Sequence, residues 1–259
     1  MRKYLLGSLL ICLFFFTSCE LLPVKDDNLS SDDIVTGLKT ALEVGTDSSV
    51  FITSAVNGYM NDQAIKILLP EEAQIIADNI EKVPGGKILL DHVILLINRS
   101  AEDAAKSAGP ILKNAITSLS ISEGLSILNG KNPVTRQKSG VDFDSTAATN
   151  YLIGTTYDEL ATAFSAPINA SLDKPLLGNL TTNKAWSDLT NAYNNVVDLD
   201  IINLFGLHKV TVTLSQHVTQ KALNGLFLKI GEQEVHIRRN PWKWVTDAVG
   251  DILTKVFGN

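Results

Sequence analysis

The chain has 259 residues, 22 Lys and Arg against 28 Asp and Glu, a formal net charge of −6, 45% hydrophobic residues and two cysteines. The acidic balance disfavours nucleic acid or anionic lipid as the main partner, since both need a basic footprint, and no nucleic-acid partner is expected. Because Cys12 and Cys19 both sit near the N-terminus, the rest of the chain holds no disulfide and packing alone must stabilise it.

Arg2 and Lys3 precede an apolar run from Leu5 to Phe16. The run is too short for a stable membrane span, which needs roughly 20 apolar residues. It reads as the core of a secretion signal. Thr17-Ser18-Cys19 follows, two small residues directly before a cysteine, which is the pattern of a lipoprotein cleavage site, with Phe16 standing where Leu is usual. Residues 1–18 are therefore expected to be a lipoprotein signal peptide, and Cys19 is expected to carry the lipid. Several acyl chains give the stable anchoring that one chain cannot. Loss of Arg2 and Lys3 takes the formal charge to about −8, and about 240 residues remain, enough for one well-filled domain. Residues 19–29 are polar and suit a tether, which leaves 30–259 as the folded domain.

Ser30 or Ser31 with Asp32 and Asp33 predicts a helix start, and Ile34, Leu38, Ala41 and Leu42 continue it until Gly45. Asp47 starts a second predicted helix towards Tyr59. Ile65 to Leu69 is brief and apolar, and Pro70-Glu71-Glu72 suits a first helical turn. Val83-Pro84-Gly85-Gly86 is a break. Lys87 to Ser107 is apolar over much of a helix circumference but only about half a span long, so it is predicted to be central to the fold. Pro110 opens another helix. Ser120 with Glu123 has capping-box spacing, and Gly130 stands where a helix end favours it. Lys131 to Asp144 reads as an exposed loop. Ser145 to Phe164 is helical, followed by a Pro-interrupted stretch to Leu177 and a helix over about Thr181 to Val196. Val210 to Leu214 alternates like a strand but has no partner. A long helix from about Leu214 to Ile237 and a final one from Trp244 to Phe257 complete an all-α fold, a single-domain bundle of about ten helices.

Several strings together resemble one family: Gly37-Leu38-Lys39-Thr40-Ala41-Leu42, Ile67-Leu68-Leu69-Pro70, Asn98-Arg99-Ser100-Ala101-Glu102 and Ile127-Leu128-Asn129-Gly130. Ala147-Ala148-Thr149-Asn150-Tyr151, Ala222-Leu223-Asn224-Gly225-Leu226-Phe227, Ile237-Arg238 and Lys255-Val256-Phe257-Gly258 continue the series. They resemble, in order, the bacterial family catalogued as domain of unknown function 4197. The resemblance implies a helical, exported, often lipid-anchored protein without an established activity. Ser100 stands where the family usually has Ala, and His217 where it often has Tyr.

At 100° per residue, Asp91, Asn98 and Glu102 fall within about 40° of one another with Arg99 beside them, so a buried central helix would present them together. On the late helix Glu234 interrupts a stripe of Leu223, Leu226, Phe227, Ile230 and Ile237, and a buried acid must be paired or neutral. Arg238, one turn on, is the favoured partner and Arg99 a second. Asp91, Asn98, Arg99, Glu102, Glu234 and Arg238 are thus a candidate buried polar network. It is expected to be an internal scaffold, the alternative being a small-ligand or hydrolase-like site with a raised Glu234 or Glu102 pKa.

His92, His208, His217 and His236 lack metal-binding spacing, and no cofactor is implied. Arg238-Arg239-Asn240-Pro241-Trp242-Lys243-Trp244 reads as a helix break with packing tryptophans. The expected protein is a lipid-anchored envelope component that binds or assembles with an envelope protein partner. It would sit on the periplasmic side of a bacterial membrane, with Glu20 after the cysteine leaning the placement to the outer one.

Overall fold

The computed structural model describes residues 30–130, 144–199, 206–240 and Lys243. Cys19, the tether, nearly all of the 131–144 loop and the 244–257 helix lie outside the described residues. Within them the chain is all-α, with eight helices and one small hairpin: α1 (Ser31–Ser54), α2 (Gln74–Asp78), α3 (Gly86–Ala105), α4 (Ala108–Thr117), α5 (Ile121–Leu128), α6 (Ala147–Leu172), β1 (Pro175–Leu177), β2 (Leu180–Thr181), α7 (Thr182–Leu199) and α8 (Ser215–Arg239).

The count is eight rather than ten for two reasons. The final predicted helix is not among the described residues, and the first two are one. α1 begins with a capping box, in which the Ser30 hydroxyl accepts from the Asp33 amide at 3.1 Å and the Asp33 carboxylate accepts from the Ser30 amide. It then runs straight through Gly45. A Cβ there would meet Gln233 and Ile237 of α8 at 3.5 Å, so this glycine marks a close helix crossing, not a stop. α1 ends instead at a tight turn where Asn57 has φ 71° and a Cβ on Gly58 would lie 2.3 Å from the Ile52 carbonyl. α6 likewise continues through Pro167 to Leu172. The proline removes one backbone bond, but Phe164, Ile168 and Leu172, buried on either side of it, hold the helix together.

α8 is the middle of the molecule. It packs against α6, α1 and α3, while α7 covers α3, and α4 and α5 close over α1. Its buried face carries Val218, Ala222, Leu223, Leu226, Phe227 and Ile230 into a core that also takes Leu38, Leu96, Ile97, Leu152 and Phe164. Gly45 meets residues 233 and 237, and Tyr59, just past the end of α1, donates its hydroxyl proton to the Ala222 carbonyl at 2.7 Å. α1 therefore runs antiparallel to α8, and the start of the folded body lies at the C-terminal end of α8. Val210 to Leu214 forms no strand. The two strands lie elsewhere, pairing antiparallel around Gly178 (φ 58°).

Candidate functional site

Three of the candidate residues on α3 work on chain segments far away in sequence. Asn98 is fully buried, accepts the Ile67 amide at 2.9 Å and donates to the Ile67 carbonyl at 2.8 Å. One amide side chain thus satisfies both backbone groups of a residue that belongs to no sheet. Glu102, also buried, accepts from the Tyr59 amide at 3.2 Å and the Met60 amide at 3.3 Å with one oxygen, and from Arg99 with the other. Arg99 then donates to the Asn57 side-chain oxygen at 2.9 Å. The positive φ of Asn57 is held by this ring of contacts. Burial pushes the Tyr59 phenol well above its ordinary pKa, so it stays a neutral donor to Ala222. Asp91 does not join them. It lies near the exposed start of α3, 3.6 Å from Lys87, with both side chains largely in solvent.

Glu234 and Arg238 form a second and separate centre. The carboxylate of Glu234 accepts from the Ala148 amide at 3.1 Å, the Thr149 amide at 2.8 Å and the Thr149 hydroxyl at 2.7 Å. These groups are the first turn of α6, whose own Thr146 supplies no side-chain cap. Arg238 binds the same carboxylate at 2.7 and 2.9 Å and extends to the Ile127 carbonyl at 3.1 Å, in the last turn of α5. An anion is thus placed on the positive end of one helix, and its cation on the negative end of another. Arg99 has no part in this centre; its partners are Glu102 and Asn57. The two carboxylates meet backbone amides, a hydroxyl and their own arginines.

Sequence reasoning missed the open surface of α8. A recess of about 570 Å³ runs between α6 and α8, with Ile153, Tyr157, Phe227, Leu228 and Val235 among its walls. The rings of Tyr157 and Phe227 stack with centroids 6.2 Å apart, and Tyr157 donates to Asn224 at 2.9 Å. His236 and Arg239 stand at one end. A second, more polar recess of about 670 Å³, lined by Lys66, Glu72, His217 and Lys221, shares Asn224 and Leu228 with the first. His217 bonds the Leu68 carbonyl at 2.8 Å, and its half-burial lowers its pKa. The available signal was the exposed stripe Lys221, Asn224, Leu228, Glu232 and His236, a polar line with a leucine in it.

Among the described residues no group of three His, Cys, Asp or Glu is placed to hold a metal ion, and no helix is long and apolar enough to cross a membrane. No curated protein and no solved structure matches the chain. The family model described as protein of unknown function (DUF4197) matches residues 28–258. That span takes in every helix described above, and the chain belongs to this family.

Proposed function

We propose that the protein is a lipid-anchored component of the bacterial envelope, facing the periplasm and held at the outer membrane, that binds a partner and performs no turnover. The observation that carries a binding role over a hydrolase-like one is the state of Glu102 and Glu234. A general acid or base needs a proton-transfer path to a substrate within hydrogen-bond reach. Glu234 is instead closed in by two backbone amides, a hydroxyl and Arg238, and Glu102 by two amides and Arg99. The two large recesses beside α8 are walled by neither carboxylate, and the cavity that Glu234 does line, between α1 and α8, has room for only about 10 Å³. Export and anchoring rest on Leu5 to Cys19.

The test joins both halves. Labelled palmitate is expected to enter the wild-type chain, and Cys19→Ala is expected to lose the label and leave the membrane fraction. A Cys19→Ala chain that stays membrane-bound overturns the anchor. In cells lacking the wild-type gene, Glu234→Gln is expected to lower stability and protein level together with any phenotype, in proportion. A stable Glu234→Gln protein present at normal level with its phenotype abolished restores the enzyme.

A further inference from the structure

We infer that the α6–α8 recess takes a single-chain lipid with an anionic head group, its chain along Phe227 and Leu228 and its head at His236 and Arg239. The inference rests on the anchored reading above and names a ligand for it. The size is that of a small-molecule site: about 570 Å³, within the roughly 300–1,000 Å³ range typical of such sites, its exposed surface mainly apolar although Thr146, Asn150, Asn224, Glu232, His236 and Arg239 also stand in its walls.

The length also suits an acyl chain. From Asn224 to Arg239 the recess follows α8 for four turns, about 22 Å at 1.5 Å per residue. One leaflet's chains fill about 15 Å, half of a hydrocarbon core roughly 30 Å thick.

Charge sets the polarity. His236 and Arg239 are exposed, and among the described residues neither side chain makes a hydrogen bond or ion pair. Glu232, the acid in the recess wall, shares Lys229 at 2.9 Å with Asp62 at 2.6 Å, and Asp144 accepts from the wall residues Thr146 and Asn150. Among the described residues the Arg239 guanidinium is the charge left without a partner at that end, and it attracts an anion within the roughly 10 Å over which such charges act at 0.1 M salt. The net acidity of the chain opposes adsorption to a whole anionic surface. A single lipid drawn into a local cationic mouth does not meet that opposition in full.

Orientation completes the case. Because α1 runs antiparallel to α8, Ser31 and Arg239 lie at the same end of the molecule. The 19–29 tether, eleven residues, reaches at most about 40 Å when extended. An anchor at Cys19 therefore keeps the cationic mouth close to a bilayer.

The experiment places a benzophenone amino acid at Leu228, a half-exposed wall residue, in the full chain in its own membranes, with Ile88, exposed and outside the recess, as the control position. After irradiation, intact mass is expected to show one adduct at position 228 with the mass of a single-chain anionic lipid, and none at 88. Arg239→Gln in the same protein is expected to cut the adduct by about tenfold, the loss of one good charge contact, with the thermal melt unchanged. Equal lipid adducts at both positions, a neutral lipid, a two-chain lipid, or indifference to Arg239→Gln overturns the inference. So does a cross-link within the chain. A protein adduct at 228 overturns the lipid and leaves the binding role standing. No adduct at position 228 overturns the lipid inference, while palmitate labelling in the same cells reports on the anchor separately.

Discussion

Glu234 caps the start of α6, which has no side-chain cap of its own, and Arg238 adds a second donor to the Ile127 carbonyl at the end of α5, which already accepts from the Gly130 amide. Their side chains are 6% and 7% exposed, so each partner alone would be an uncompensated buried charge. Removing one member of such a pair costs about 3–5 kcal/mol, whereas exchanging both for apolar groups of similar size is far milder. Glu234→Gln is therefore expected to lower the unfolding free energy by an amount in that range, measured by urea denaturation. A Glu234→Leu, Arg238→Met double variant is expected to recover part of it, limited by the amides of Ala148 and Thr149 left without an acceptor. A second pair gives a pH dependence. Hydrogen bonding from Lys229 holds the Asp62 carboxyl below its usual range, and Lys229 is raised because, against desolvation, its contacts with Asp62 and Glu232 together prevail. For the lowered acid, the stabilisation is complete above the unfolded pKa near 3.9 and lost as pH falls through the folded value. For the raised base it is complete below about 10.4 and lost as pH climbs through the folded value. Between those limits the pair's contribution is flat. Asp62→Asn is expected to reduce the fall in denaturation midpoint between about pH 5 and pH 2, and an unchanged slope would remove Asp62 from the account.

Elements here are joined by side chains that imitate backbone. Asn98 pairs with both backbone groups of Ile67, and Asn194 does the same for Val210, accepting its amide and donating to its carbonyl at 3.0 Å each. Trp186 adds a bond to the Val212 carbonyl. The alternating Val210 to Leu214 run is thus an extended segment whose partner is a helix face, which explains why no second strand could be found for it. Glycines show the same tertiary control. At Gly225 a Cβ would lie 2.8 Å from the Tyr59 ring, and that ring is pinned by its bond to Ala222. Gly225→Ala is expected to lose about 1–2 kcal/mol, the overpacking exceeding the gain in helix propensity. Gly45→Ala meets only ordinary contacts and is expected to gain up to about 1 kcal/mol. Thermal melts of the two variants should therefore shift in opposite directions. What the sequence made legible was local: capping at Ser30 and Ser120, the turn at Gly130, the helical periods, and the Glu234–Arg238 spacing. Gly45 and Pro167 were misread as breaks because their tolerance is decided by α8 and by the flanking core residues. The hairpin carried only Gly178-Asn179 as its mark. Asp91 shared an angular window with Asn98 and Glu102, but an angle gives a direction, not a depth, and the start of α3 is at the surface. The targets of Glu102, Glu234 and Arg238, some 40 to 110 residues away, had no sequence signal at all.

At the scale of the whole molecule, everything converges on α8. It touches α1, α3 and α6, its buried face belongs to a core that runs from Val35 to Ile230, and its Glu234–Arg238 pair ties down both helix ends that flank residues 131–143. Such a helix has no way to open alone, because exposing its amides means parting it from three neighbours at once. The hairpin at 175–181 and α2, by contrast, are short and peripheral, and most of their strand positions are exposed or half-exposed. Native-state hydrogen exchange should therefore separate two classes. Amides in the middle of α8 and α3 are expected to exchange only through global unfolding, with protection that follows the urea-derived stability, while those of the hairpin and α2 exchange through smaller openings. Glu234→Gln provides the sharper readout. If the carboxylate serves architecture, the variant lowers protection in α8, at the start of α6 and at the end of α5 by one common amount, since all three report the same global event. Loss confined to the first turn of α6, with α8 unchanged, would show a local cap and would deny α8 its role as the unit on which the fold opens and closes.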